Sequence, residues 1–206
     1  MSRRQEDAMT RRRPPVFAAL ALLCLGVALG AYRPLTSLMS LHMLVQIPLL
    51  ALAGVFTELA ARRHPVRSVA SDTKRGPWSC NEYGVPGLLL ASLVGTAWMI
   101  PKALDDALTD WRVATFKYVG LPAAGWVLSA SLRLAPAVIK LFFLGNFCWM
   151  AAIVGMLYLD QPVRLCNAYL LDDQDWAGRG LIALAIILPF GWLLAEIRPI
   201  WRFISR

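Results

Sequence analysis

Apolar runs alternate with short polar segments along the whole chain. The runs lie at about residues 16–32, 36–60, 85–101, 115–132, 135–158 and 180–197. Each is near the ~20 residues that a helix needs to cross a bilayer. This pattern predicts a polytopic transmembrane bundle of about six helices. An all-α fold follows, because lipid offers no partner to the backbone groups of an open strand. No repeat or low-complexity segment divides the chain, so residues 1–206 read as a single integral-membrane domain.

The first run follows a basic tail over residues 1–15 and has the outline of a signal peptide. No small-x-small cleavage site follows it, so it reads as a retained helix or a signal anchor. After the third run comes K-A-L-D-D-A-L-T-D-W-R, residues 102–112. Helical spacing puts Leu104, Leu108 and Trp111 on one face, opposite Asp105, Asp106 and Asp110. A short helix lying on the membrane surface is expected there.

Charge adds an orientation. The tail carries Arg3, Arg4, Arg11, Arg12 and Arg13, and the connection after the second run carries Arg62, Arg63, Arg67, Lys74 and Arg75. Arg133 and Lys140 flank the fourth connection, and Arg198, Arg202 and Arg206 close the chain. These segments fall on one side of a six-span bundle. The opposite side holds Arg33, Lys102, Arg112, Arg164 and Arg179 together with most of the Asp residues, and Lys117 lies just inside the fourth run. The excess of Lys and Arg on one side predicts that both termini are cytoplasmic.

Composition agrees. Hydrophobic residues make up 58% of the chain, charged residues only 17%, and mean hydropathy is +0.54. A soluble domain is closer to one quarter charged. The net charge of +8 does not point to nucleic acid, because the basic residues sit between apolar spans. Cys24, Cys80, Cys148 and Cys166 are scattered without C-x-x-C spacing, so no redox or zinc motif is indicated. Two histidines, His42 and His64, cannot supply the paired axial ligands of a two-haem cytochrome.

The candidate chemistry is concentrated in S-L-M-S-L-H-M-L-V-Q-I-P-L-L, residues 37–50. Met39, His42, Met43 and Gln46 follow i, i+3, i+4, i+7 spacing and share a helical face. His42 would lie about 9 Å inside the outer surface. An ionisable residue within a span is a functional candidate, and thioether and imidazole donors suit Cu(I). The competing reading is a neutral histidine hydrogen-bonded to another helix among core methionines. Met99 is a further soft donor near the outer end of its run, as are Met156, Cys148 and Met150 elsewhere, and scattered Met and Cys in apolar helices usually serve packing.

The densest polar patch is N-A-Y-L-L-D-D-Q-D-W-A-G-R-G. Asp172, Asp173 and Asp175 form an outer acidic loop that would bind a hard cation, pair with Arg179 or cap a helix in solvent. The patch is neither a DDxxD motif nor an EF-hand loop. Gln46 and Asn146 are polar residues within spans, where interhelical hydrogen bonds are expected. Glu58 and Glu196 lie near cytoplasmic helix ends, within reach of Arg residues. No nucleophile–base arrangement is readable, so the chain reads as no enzyme.

Three stretches together resemble the CtaG-like family of cytochrome c oxidase assembly proteins. In L-H-M-L-V-Q-I-P-L-L-A-L-A-G, residues 41–54, His42, Met43, Pro48 and Gly54 match the family pattern, and Gln46 stands where a second His is expected. In W-M-I-P-K-A-L-D-D-A-L-T-D-W-R-V-A-T-F-K-Y, residues 98–118, Trp98 and Pro101 match, Met99 takes the place of a His, and later histidines are missing. In L-L-D-D-Q-D-W-A-G-R-G-L-I-A-L, residues 170–184, Asp173, Gln174, Gly180 and Leu181 match.

The resemblance spans most of residues 37–197. It implies a bacterial inner-membrane accessory protein that assists assembly of a copper- or haem-containing oxidoreductase. His42, Met39, Met43 and Met99 would then contact Cu(I), and the partners would be membrane lipid and an oxidase or other membrane complex. The missing histidines weaken copper delivery. The alternatives are a metal-free structural accessory subunit and a small transporter or intramembrane enzyme, which would need polar groups converging near the midplane.

Overall fold

The computed structural model describes the backbone of residues 13–61 and 81–204, with side chains except at 13, 14, 82 and 195–204. All regular structure among the described residues is helical. The basic residues Arg3, Arg4, Arg11, Arg12, Arg62, Arg63, Arg67, Lys74, Arg75 and Arg206 lie outside the described residues, as do His64 and Cys80. The side chains of Glu196, Arg198 and Arg202 also lie outside them.

Helix α1, Arg13–Gly30, opens on Pro14 and Pro15, whose missing N–H groups cost nothing in a first turn. A short helix α2, Tyr32–Ser37, fills the connection between the first two apolar runs and enters only the first residues of the second. Leu38 is extended, with φ −122° and ψ 138°, and breaks the chain between α2 and α3, Met39–Ala61.

Within α3, residues His42–Gln46 form a π-helical turn, closed by a bond from the Ile47 N–H to the His42 carbonyl. Pro48 explains the widening. It has no N–H for the Leu44 carbonyl, and its ring crowds that carbonyl, so the preceding turn opens to i→i+5 bonding.

A 3₁₀ turn at Glu82–Gly84 leads into α4, Val85–Ala97. Gly84 has φ 73°, and a Cβ there would strike the Ser131 carbonyl oxygen, so glycine is required twice over. Helix α5, Pro101–Thr109, continues from α4 after a 76° bend. Asp110 then caps α6, Trp111–Leu134, by accepting the Arg112 N–H at 2.8 Å. Helix α7, Ala137–Asp160, starts after Pro136. Residues 161–170 have no regular structure and precede α8, Leu171–Ile204.

Three helices among the described residues are long and apolar enough to cross a membrane: Met39–Ala61, Ala137–Asp160 and Leu171–Leu194. The bent pair Val85–Ala97 and Pro101–Thr109 makes a fourth if counted as one span, and Pro15–Gly30 is a shorter apolar helix.

Helix α3 packs between α1 and α6, α4 packs on α6, and α7 packs on α8. Glycines permit the closest approaches. A Cβ at Gly54 would fall on the Pro122 carbonyl, and one at Gly125 on the Ala51 carbonyl, so α3 and α6 meet backbone to backbone. Gly155 and Gly178 do the same for α7 and α8. Where helices pack in lipid, close approach of this kind replaces the hydrophobic drive that lipid does not provide.

Two expectations are corrected here. The last helix begins at Leu171, not near residue 180, so Asp172, Asp173 and Asp175 are helical rather than a loop. Trp111 does not share the buried face of the surface helix: α5 ends at Thr109, buries Leu104, and leaves Trp111 to open α6 with 73% of its surface exposed.

Candidate functional site

His42, Gln46 and Lys117 are fully buried between α3 and α6. The π-helical turn presents His42 and Gln46 together, and α6 brings in Lys117. Lys117 Nζ lies 2.9 Å from His42 Nε2 and donates to Gln46 Oε1 at 2.9 Å. The amine also sits 4.8 Å from the centre of the Tyr118 ring. The Gln46 amide nitrogen donates to the Ala28 carbonyl of α1 at 3.0 Å and to the Tyr118 hydroxyl at 3.1 Å. On the other side of the imidazole, His42 Nδ1 lies 2.6 Å from the Tyr169 hydroxyl. Each polar atom of the seam thus has a partner, which is what burial of such groups demands.

Tyr169 belongs to the irregular segment between α7 and α8, and several polar groups hold that segment in place. Asp105 of α5 accepts the Asn167 N–H at 2.7 Å and the Ala168 N–H at 3.3 Å. Gln174 of α8 accepts the Leu165 N–H at 2.8 Å and donates to the Tyr158 carbonyl at 3.0 Å. The Cys166 thiol donates to the Pro101 carbonyl at 3.3 Å. Burial, with Asp105 and Asp173 nearby, pushes the Cys166 thiol up to about 12. Burial first, then Cys166, Asp105, Asp173 and Tyr32, pushes the Tyr169 phenol above its ordinary range. Both groups are therefore protonated at neutral pH.

The acidic residues do not converge. Asp173 is buried and caps α3 from another helix: it accepts the Met39 N–H, the Ser40 N–H at 3.3 Å and the Ser40 hydroxyl at 2.7 Å. Helix α3 has no side-chain cap of its own. Asp172 is exposed and Asp175 half-buried. Arg179 stacks over the Trp176 ring at 5.3 Å.

Met39, Met43 and Met99 are all buried in one apolar cluster with Leu104, Tyr158 and Cys166. Both ring nitrogens of His42 are engaged within the protein, Nδ1 with Tyr169 and Nε2 with Lys117. Cu(I) binding at His42 would have to displace Lys117 or Tyr169. Among the described residues no three His, Cys, Asp or Glu side chains gather as a metal-holding group. Met156 is exposed, Cys148 buried and Met150 half-buried. Asn146 is exposed on α7, and Glu58 lies 3.6 Å from Arg133 and accepts from Ser129 at 2.9 Å.

Sequence reasoning selected His42 and Gln46 but missed Lys117, Tyr118 and Tyr169. The usable signal was Lys117 itself, an ionisable residue inside an apolar run. Its place near the end of the run, beside the connecting charges, hides that signal.

The chain matches no family model, no curated protein and no solved structure.

Proposed function

We propose that the chain is a multi-pass accessory or assembly protein of the bacterial inner membrane. It serves a copper- or haem-containing respiratory-type oxidoreductase and carries no metal itself. The observation behind the metal-free reading is that His42 is held at Nδ1 by Tyr169 and at Nε2 by Lys117. A cation could reach His42 only by displacing one of these partners, so the seam suits packing better than Cu(I) transfer. The partner class comes from the CtaG-like resemblance.

In this reading α1, α3, the α4–α5 pair, α6, α7 and α8 make six crossings with both termini cytoplasmic. The outward faces of α7 and α8 are apolar, through Val138, Phe142 and Trp149 on one and Ile187, Phe190 and Leu194 on the other. They offer lipid and partner helices a surface, whereas the polar groups of the His42–Lys117 seam are consumed by one another.

Photo-crosslinking residues placed at Phe142, Trp149 and Phe190, with buried Leu104 as the control, test the reading in cells. Crosslinks from the exposed faces to an oxidoreductase subunit support it. Crosslinks to lipid alone, together with normal oxidoreductase assembly in a deletion strain, overturn it.

A further inference from the structure

The contact between His42 and Lys117 joins two groups that each take a proton, both fully buried. At 2.9 Å, Nζ and Nε2 share one hydrogen bond, so one nitrogen must present a lone pair to the other. Two positive charges cannot occupy the pair with that bond intact. Lys117 is fully buried, and its partners are His42, Gln46 and the Tyr118 ring. The chain of contacts continues from His42 Nδ1 to the Tyr169 hydroxyl at 2.6 Å. Tyr169 lies in the segment that Asp105 of α5 holds through the Asn167 and Ala168 N–H groups.

We propose that His42 and Lys117 form a one-proton site inside the bundle, filled and emptied through the Tyr169 hydroxyl. In the empty state the lysine is a neutral amine. His42 carries its proton on Nε2 and donates it to the amine, and Tyr169 donates to Nδ1. Filling begins when a hydronium ion gives a proton to the Tyr169 oxygen and leaves as water. The original Tyr169 proton passes to Nδ1, and the Nε2 proton passes to Lys117, which becomes an ammonium. The site gains one proton and one positive charge, and Tyr169 and His42 end neutral. The same contacts persist with every donor and acceptor exchanged, and Lys117 donates to Gln46 throughout.

The groups that set the site's field come from each surrounding element. They are Tyr118 beside Lys117 on α6, Cys166 beside Tyr169, Asp105 on α5, Asp173 on α8 and Tyr32 on α2. The two carboxylates lie toward the Tyr169 end, where they favour a proton arriving from outside.

The test uses the full chain in lipid nanodiscs with ¹⁵N-labelled histidine and a His64→Gln change, which leaves His42 as the only labelled ring. Nitrogen shifts are followed from about pH 5 to pH 10. The expected result is one transition in which the protonated nitrogen moves from Nδ1 at low pH to Nε2 at high pH, with no imidazolium. Tyr169→Phe slows proton exchange at His42 at least tenfold, and Lys117→Met abolishes the tautomer transition. A single tautomer throughout, or formation of imidazolium, overturns the proposal using the His64→Gln protein alone, whether or not the other variants fold.

Discussion

Lys117 Nζ and His42 Nε2 meet at 2.9 Å across 75 positions of sequence, both residues fully buried. The contact ties α6 to the π-helical turn of α3 and leaves Gln46 and Tyr169 to complete the seam.

Replacing Lys117 by Met strands the Gln46 carbonyl oxygen and a histidine nitrogen in the interior. Each stranded group costs about 1–3 kcal/mol. Lys117→Met should therefore lower the midpoint of reversible unfolding in detergent. Adding Gln46→Leu should cost less than the sum of the two single changes, because the partners act as a unit.

Asp173 is the cap that α3 does not possess locally. Asp173→Ala should destabilise by about 1–2 kcal/mol. Hydrogen exchange should accelerate at the Met39 and Ser40 amides before it does elsewhere in α3. Asp173→Asn keeps one acceptor oxygen and should recover part of the loss.

The glycines at helix crossings differ in what they tolerate. Gly54→Ala and Gly125→Ala place a methyl on a carbonyl of the facing helix, and overpacking of this kind costs about 1–3 kcal/mol or more. Nothing lies within 4 Å of a Cβ at Gly145, so Gly145→Ala should be neutral or slightly stabilising. Thermal unfolding of the three variants side by side checks the contrast.

Cys166 binds its proton more tightly folded than unfolded, with the thiol raised from the ordinary 9.0 to about 12. Between those values the unfolded chain has lost the proton that the folded chain keeps, so stability falls as pH rises. Denaturant midpoints should decline above about pH 9, and less steeply in Cys166→Ala. At neutral pH the folded protein should leave Cys166 unmodified by a maleimide.

Much of the fold was legible because apolar runs in lipid have only helices available to them. The runs at 36–60, 115–132 and 135–158 correspond to α3, α6 and α7 within a few residues. The start of α8 was not legible. Leu171 to Arg179 is polar enough to read as a loop, and becomes helical because Asp173, Gln174 and Ala177 are buried against the rest of the bundle.

The site was half legible. Periodicity placed His42 and Gln46 on one face, since both lie on one helix. Their side-chain partners are 71 to 127 positions away and follow from packing that no local spacing encodes.

Copper loading tests the central claim most directly. The purified protein and its His42→Ala variant are incubated with Cu(I) under reducing conditions in mild detergent, and copper per chain is measured. With His42 committed to Lys117 and Tyr169, neither protein should retain specifically bound copper. About one copper per chain in the wild type, lost in His42→Ala, would contradict the account and make the histidine a metal contact.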